Sequence, residues 1–243
     1  MLIAIISDLH ANLEATQAVF RELDKRKPEK IVCLGDLTGY NASPNEVVDI
    51  IRERQIPTVM GNHDAAVCGL EDPWFFRSSA KRAIEWQMEL LRDDNRRWLA
   101  TAPERIKFNC ASLGVHGSPG CRDDYIIDWL DAMRQMEYLD GKNLRLCFYG
   151  HSHRPALFSD KGAAQSVQAD SIHPLGPANR YFINPGAVGQ PRDRDPRAAY
   201  GYYDTDKQTF EFCRVDYDIA RCQRRILEAG LPEDLASRLA KGK

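Results

Sequence analysis

Two hydrophobic periods alternate along the first third of the chain. Leu2–Ser7 is a short apolar, β-branched run and reads as a buried strand. Leu13, Thr16, Phe20 and Leu23 then recur at the spacing of one helix face, with Asn12 where an N-cap belongs. Lys30–Gly35 reads as a second strand. Ser43-Pro-Asn-Glu46 has the form of a capping box with proline at the first helical position, opening a helix that carries Val47, Val48, Ile50 and Ile51. Ile56–Met60 follows as a third strand. This strand–helix order predicts a parallel sheet with crossover helices.

The alternation then breaks. Cys68–Thr101 reads as a helical excursion, with Ser79 capping a helix on Ile84, Met88 and Leu91 and a further turn at Arg96–Thr101. Arg105–Val115 reads as two strands turning near Asn109, followed by a helix around Asp128–Leu139 and a strand at Leu144–Tyr149. Ser159–Asn179 is polar and rich in glycine and proline, and is expected to be loop with a short strand near Ser166–Gln168. Ala198–Tyr203 and Gln208–Val215 flank Asp204-Thr-Asp-Lys207, a hairpin signal. Helices over Asp218–Ala229 and Pro232–Ala240 close the chain. No linker or repeat divides it, so one domain over residues 1–243 is expected, with the excursion at about 68–101 resembling a cap.

Composition narrows the field. The 243 residues are 43% hydrophobic and 28% charged, which excludes a disordered tail, a collagen and a coiled coil. The formal charge of -2 lacks the basic excess of a protein that lives on nucleic-acid phosphates. Seven cysteines are an odd number without CxxC spacing, so free thiols in a reducing cytoplasm are expected. No stretch has the length of a signal-peptide core or a membrane helix, so no membrane partner is expected.

Chemistry collects on the histidines. Of six, His10, His63, His116, His151 and His153 each follow a predicted strand, and only His173 lies in a structureless stretch. Asp8, Asp36 and Asn62 end predicted strands 28 and 26 residues apart, about one βαβ unit, and should line up along one sheet edge, where ligands of parallel sheets bind. Imidazole with carboxylate is a transition-metal ligand mixture, and no cysteine joins it. The ligands are too many for one ion; two ions sharing a carboxylate account for the number.

Asp8-Leu-His10, Gly35-Asp36, Gly61-Asn-His-Asp64, Val115-His116 and Gly150-His-Ser-His153 stand in an order that resembles the five blocks of the calcineurin-like metallophosphoesterases. Asn184-Pro-Gly-Ala-Val-Gly-Gln-Pro-Arg-Asp193 extends the resemblance to small bacterial and archaeal members, which include phosphodiesterases and diadenosine tetraphosphate hydrolase-like enzymes. The resemblance implies an α/β fold: a four-layer α/β/β/α sandwich of two mixed sheets flanked by helices, with a dinuclear centre between the sheets. It makes Asp8, His10, Asp36 and His153 ligands of one ion and Asp36, Asn62, His116 and His151 ligands of the other, and leaves His63 free of metal beside the substrate. His151 and His153 serve different ions only if the backbone bends, for which Gly150 offers freedom. Serine/threonine protein phosphatases of related type carry an arginine soon after the second motif and a glutamate in the third; here Leu37-Thr-Gly-Tyr40 and Asp64 stand there.

The resulting expectation is a phosphoesterase with two divalent ions, manganese first and iron, zinc, cobalt or nickel as alternatives. A bridging water of lowered pKa then supplies hydroxide for in-line attack. His63 is the expected general acid, with a neighbouring carboxylate, Asp64 or Asp36, favouring its charged form. Arg192 and Arg154 are candidates for substrate phosphate, and Asn184 and Gly186 for shaping their loop. Trp74, Phe75 and Phe76 read first as core, or as a cap that packs a nucleoside. The expected partner is a small phosphodiester or nucleotide anhydride, with no stable nucleic-acid partner. Rival readings are a phosphomonoesterase or phosphoprotein phosphatase, a non-catalytic scaffold of the same fold, and a nuclease.

Overall fold

The computed structural model describes residues 1–162 and 167–243. The chain runs β1 (Leu2–Ile6), α1 (Leu13–Arg26), β2 (Lys30–Cys33), α2 (Pro44–Glu53), α3 (Asn62–Val67), α4 (Ser78–Leu90), α5 (Asp93–Leu99), β3 (Arg105–Asn109), β4 (Ser112–Val115), α6 (Trp129–Gly141), β5 (Leu146–Phe148), β6 (Ala156–Ser159), β7 (Ile172–Pro174), β8 (Tyr181–Asn184), β9 (Ala198–Asp204), β10 (Thr209–Val215), α7 (Ile219–Glu228) and α8 (Glu233–Leu239). The strands form two five-stranded mixed sheets, ordered β2-β1-β9-β10-β7 and β3-β4-β5-β8-β6.

Side-chain alternation along the buried strands builds the layers. Ile3 and Ile5 of β1 face the second sheet and share a core with Val32, Phe148, Ile183 and Phe210. Ala4 and Ile6 face the other way, into a core with Val19, Leu23, Val47 and Ile51 of α1 and α2. On the far side, Ala132, Met136 and Leu139 of α6 pack against Cys147, Tyr149 and Phe182. The layers are helix, sheet, sheet, helix, as the resemblance implies. A further cluster joins α4, α7 and α8 to Tyr40 through Ala83, Cys222, Ile226 and Leu235.

The expected crossover is present: β1 and β2 pair in parallel, with Ile5 opposite Val32. The third expected strand is reduced to one parallel bridge, Cys33 to Thr58. Pro57 has no N–H to extend the ladder, and the chain turns at Gly61 into α3, which the hydrophobic pattern does not announce. The stretch still runs beside β2, with Val59 N donating to Cys33 O at 3.1 Å, so Asn62 reaches the same sheet edge as Asp8 and Asp36. Ser43 and Ser79 act differently from expectation. Ser43 precedes α2 without a capping bond, and α4 starts one residue before Ser79, whose hydroxyl donates to Asp234 at 2.8 Å.

The late sheet strands carry the weakest sequence signal. β6 and β8 have four residues each, and β8 is buried throughout, so it shows no polar alternation. The strand expected near Ser166–Gln168 falls partly outside the described residues at Ser166; Val167 and Gln168 are not in a strand, and β7 lies at Ile172–Pro174. The β9–β10 hairpin is as expected, with Asp204 Oδ1 accepting from the backbone of Asp206 and Lys207 at 3.0 Å each. All seven cysteines are free. No helix among the described residues is long and apolar enough to cross a membrane.

Candidate metal centre

The ends of four strands deliver the site. Asp8 and His10 follow β1, Asp36 follows β2, His116 follows β4, and His151 and His153 follow β5. All six are buried, and Asn62 at the start of α3 is half-buried. Five have left-handed backbone: Asp8 (φ 54°), His10 (47°), Asp36 (54°), His151 (62°) and His153 (58°). Each such residue costs about 1–3 kcal/mol, so the surrounding bonds must hold it. Asp8 N donates to Gly35 O at 3.0 Å, His10 N to Asp36 O at 2.8 Å and Gly189 N to Asp8 O at 2.8 Å. The bend that separates His151 from His153 therefore lies in the histidines themselves. Gly150 serves by lacking a side chain: a Cβ there would strike Ser7 Oγ and Asp8 Oδ2.

Main-chain carbonyls set the imidazoles. His10 Nδ1 bonds Thr38 O at 2.7 Å, His116 Nδ1 bonds Leu34 O at 2.8 Å and His153 Nδ1 bonds Gln190 O at 2.6 Å. A proton held on Nδ1 leaves Nε2 with a lone pair aimed into the site, the tautomer of a metal ligand. His10 Nε2 and His153 Nε2 stand 3.0 Å apart. Two lone pairs at that distance repel unless a cation lies between them. Asp36 Oδ1 accepts from His63 N at 2.9 Å. Its Oδ2 is buried without a hydrogen-bond partner, 3.5 Å from His10 Nε2 and 3.3 Å from His116 Nε2. His151 Nε2 is likewise buried and unpartnered.

Two donor groups result, Asp8–His10–Asp36–His153 and Asp36–His116–His151, each with its ligand atoms within 4.8 Å of one another. Asp36 belongs to both. Asn62 Oδ1 joins the second, 3.1 Å from His116 Nε2. This is the division implied by the resemblance, and the orphaned Asp36 Oδ2 between two imidazoles fits a dinuclear centre. Nitrogen and carboxylate donors without thiolate suit divalent first-row metals.

Electrostatics agree with a site built for cations. Burial pushes the Asp8 carboxyl up to about 7. Burial also opposes ionisation of Asp36, yet His116 and His63 hold it well below the usual carboxylate range. Burial disfavours charge on His116, but Asp36 and then Asp8 push it up to about 10. Burial lowers His151 to about 3 and keeps His10 and His153 well below the usual histidine range. Without metal, a proton on His116 balances the carboxylates.

His63 lies outside both donor groups. Its ring packs 4.8 Å from His10, 4.5 Å from Tyr40 and 4.8 Å from Phe76, and Nδ1 is buried against Gly39. The expected carboxylate support is overruled: burial brings the imidazole down to about 4 despite Asp36. Asp64 is turned away, accepting from Thr38 N at 3.0 Å, Thr38 Oγ1 at 2.9 Å and Gly61 N at 3.2 Å, and so ties the loops of Asp36 and Asn62 together. Asn184 has the loop-shaping role expected of it. It donates to Gly150 O at 2.7 Å and Ser152 Oγ at 3.0 Å and accepts from Gly186 N at 2.8 Å, bracing the loop of His151 and His153.

A cleft of about 1010 Å³ opens over the centre, lined by His63, both candidate arginines and residues of the helical excursion. Arg192 Nη2 donates to Tyr40 Oη at 2.9 Å, and Arg154 Nε donates to Arg192 O at 3.1 Å. Neither arginine forms an ion pair among the described residues; Asp193 and Asp195 of the same loop pair instead with Arg214 and Arg197. Trp74 and Phe75 are 71% and 92% exposed, so they are not core; the 3-10 turn that carries them, Pro73–Phe75, buries no side chain, and only Phe76 packs inward. Tyr40, Tyr125 and Arg238 also line the cleft, and the sequence motifs single out none of them. Tyr40 lies four residues after Asp36, a findable signal; Tyr125, whose ring is 4.0 Å from that of His151, and Arg238 belong to no motif.

The sandwich and its shared-aspartate site define a metallophosphoesterase. The chain belongs to the calcineurin-like phosphoesterase superfamily, whose domain model matches residues 1–208. It is 37% identical to the uncharacterised protein MJ0912 of Methanocaldococcus jannaschii, over 100% of this chain and 98% of that protein. It is similar to the crystal structure of a metallophosphoesterase from Sphaerobacter thermophilus, with 38% identity, a TM-score of 0.89 and 100% and 99% of the two chains covered. A hypothetical protein, PH1004 from Pyrococcus horikoshii OT3, shares the fold at 20% identity, with a TM-score of 0.82 over 100% and 98% of the chains.

Proposed function

We propose that the protein hydrolyses small phosphodiesters or nucleotide phosphoanhydrides such as diadenosine tetraphosphate. The observation that carries this reading is Asp36 Oδ2, buried and unpartnered between His10 and His116. Asp8, His10, Asp36 and His153 would hold one divalent cation and Asp36, Asn62, His116 and His151 the other, manganese before iron, zinc, cobalt or nickel. Bound there, two cations polarise a phosphoryl oxygen and lower the pKa of water.

The chain's own groups do the rest. The carbonyls of Thr38, Leu34 and Gln190 hold the imidazoles of His10, His116 and His153 in one tautomer and one orientation, and Asn184 braces the loop of His151 and His153. His63 lines the cleft with Nδ1 buried, so Nε2 is the nitrogen available to a leaving-group oxygen. An anionic substrate beside the ring favours its charged form, opposing the effect of burial. Arg192 and Arg154 supply charged donors at the rim, and the exposed Phe75 offers a face for a nucleoside base. Within one domain over residues 1–243, the 68–101 excursion serves as a cap: its segment from Glu71 to Ala80 lines the cleft, while Gln87 of α4 accepts from Gly39 N at 2.6 Å and donates to Asn41 O at 2.6 Å.

The test is a substrate panel on metal-stripped protein reloaded with Mn²⁺: bis-p-nitrophenyl phosphate, p-nitrophenyl phosphate, dinucleoside polyphosphates and a phosphopeptide. Turnover of the diester or the polyphosphates ahead of the monoester and the phosphopeptide supports the proposal. The reverse ranking makes the protein a phosphatase, and metal binding without any turnover makes it a scaffold.

A further inference from the structure

Arg238 is a basic residue at the cleft that no motif accounts for. It stands on α8, beyond residues 1–208 matched by the family model, and lines the same cleft as His63 and Arg192. Its guanidinium carbon lies 5.9 Å from the Tyr40 ring centroid, and that of Arg192 lies 5.4 Å from the same centroid. The Tyr40 ring in turn lies 4.5 Å from the rings of His10 and His63. Two guanidiniums thus share one aromatic ring at the edge of the metal centre.

No carboxylate forms an ion pair with either of them among the described residues. Among the described residues the Arg238 side chain donates no hydrogen bond and forms no ion pair. Burial, and after it the charge of Arg192, lower its pKa from the usual arginine value and outweigh the opposing effect of Tyr40 and Asp234. Arg192 Nε is buried without a partner. The acidic groups nearby have other partners as well: Asp234 accepts from Ser79 at 2.9 and 2.8 Å and offsets only part of the shift on Arg238, and Glu71 and Asp123 both pair with Arg122. A guanidinium has five N–H donors in a fork that matches phosphate oxygens. Two guanidinium forks with unused donors beside one ring and along one cleft repel each other, and an anion that reaches both removes that repulsion.

We propose that Arg192 and Arg238, arranged about Tyr40, form an anion subsite that binds a second phosphate group of the substrate, so that the cleft takes nucleoside di- and polyphosphates ahead of molecules with one phosphate. The assignment rests on the phosphoesterase reading for the position of the first phosphate, at the metal centre. It selects the anhydride class within that reading. It also gives α8 a part in the site: the C-terminal helix supplies a substrate-binding charge.

Calorimetry on Mn²⁺-loaded protein tests this, with a methylene-bridged nucleoside diphosphate analogue and the matching nucleoside monophosphate as probes. The readout is the ratio of their dissociation constants, with bound metal measured in the same samples. The wild-type ratio should favour the diphosphate by roughly tenfold or more, the scale of charged hydrogen bonds. Arg238→Gln should bring the ratio close to one, Arg192→Gln should move it the same way, and Arg238→Lys should keep part of it. Both Gln variants should retain the metal content of the wild type. If Arg238→Gln lowers Tm, Arg192→Gln, on a different element, carries the comparison. A wild-type ratio near one, or a ratio unaltered by both Gln substitutions, overturns the proposal. An arginine-dependent preference in a protein that hydrolyses no phosphate compound would leave the subsite standing and reject the proposed function; turnover with an unaltered ratio would reject the subsite alone.

Discussion

The floor and the rim of the cleft are built on different terms. On the floor, five residues sit in left-handed backbone, three imidazoles are tied to main-chain carbonyls, and Asp36 is shared between two donor groups. At the rim, Phe75 is 92% exposed, Arg154 is exposed, and Arg192 and Arg238 form no ion pair among the described residues. The floor commits strain and burial to a fixed geometry for cations. The rim leaves donors and an aromatic face open to whatever enters. On the proposed function the floor sets the reaction type and the rim the substrate choice, so substitutions in the two regions should have distinguishable effects.

The largest effect should come from Asp36→Asn. It removes the one charged oxygen common to both donor groups, so both cations should bind weakly and turnover should fall roughly a thousandfold or more, because several kcal/mol of charge stabilisation go with them. Elemental analysis beside activity checks this; loss of a single metal would break the bridging assignment. His63→Asn should keep both metals and lose about 10²–10⁴-fold on poor alkoxide leaving groups. The loss should be much smaller with p-nitrophenolate, which departs without a proton; an equal loss on both would replace proton donation with phosphate positioning.

Asn184→Ala probes the floor's support without touching a donor atom. It unties Gly150 O and Ser152 Oγ, and metal affinity should fall about 10–100-fold, as for other groups that brace ligands. Competition with a chelator measures it, and an unchanged affinity would show that the loop of His151 and His153 holds its shape alone. The smallest effect is a proton count. In the metal-free protein His116 is pushed up to about 10 and Asp8 up to about 7, so at pH 7 His116 carries a proton and Asp8 carries a fraction of one. As ligands both must be deprotonated, so metal loading releases protons and affinity rises with pH from about 6 towards 10, levelling off above the pKa of His116. Calorimetry in buffers of different ionisation enthalpy should show release of more than one proton per chain at pH 7; uptake, or no release, would contradict the charge balance described.

The contrast between floor and rim also decides what can be read from the sequence. Asp8, Asp36, His116 and His151 follow strands, and strands are visible as apolar runs, so the floor is legible in the order of residues alone. Their αL backbone is not: the freedom expected at Gly150 resides in His151 and His153, while Gly150 leaves the room that Ser7 and Asp8 fill. The expected charge on His63 fails for a related reason, since the sequence places Asp64 beside it while the fold turns Asp64 towards Thr38. β8 escapes the pattern because strands buried on both faces lack alternation, and α3 because six residues carry too little periodicity. At the rim, Arg238 reaches Tyr40 from nearly 200 residues away through the packing of α7 and α8 on α4. No local spacing encodes such a meeting.

The most direct test of the shared aspartate is a titration of Mn²⁺ into metal-stripped protein, with bound metal and hydrolysis of bis-p-nitrophenyl phosphate followed in the same samples. Two donor groups joined through Asp36 predict binding that saturates at two ions per chain, with turnover appearing mainly as the second ion binds. Full turnover with saturation at one ion per chain would contradict the dinuclear centre.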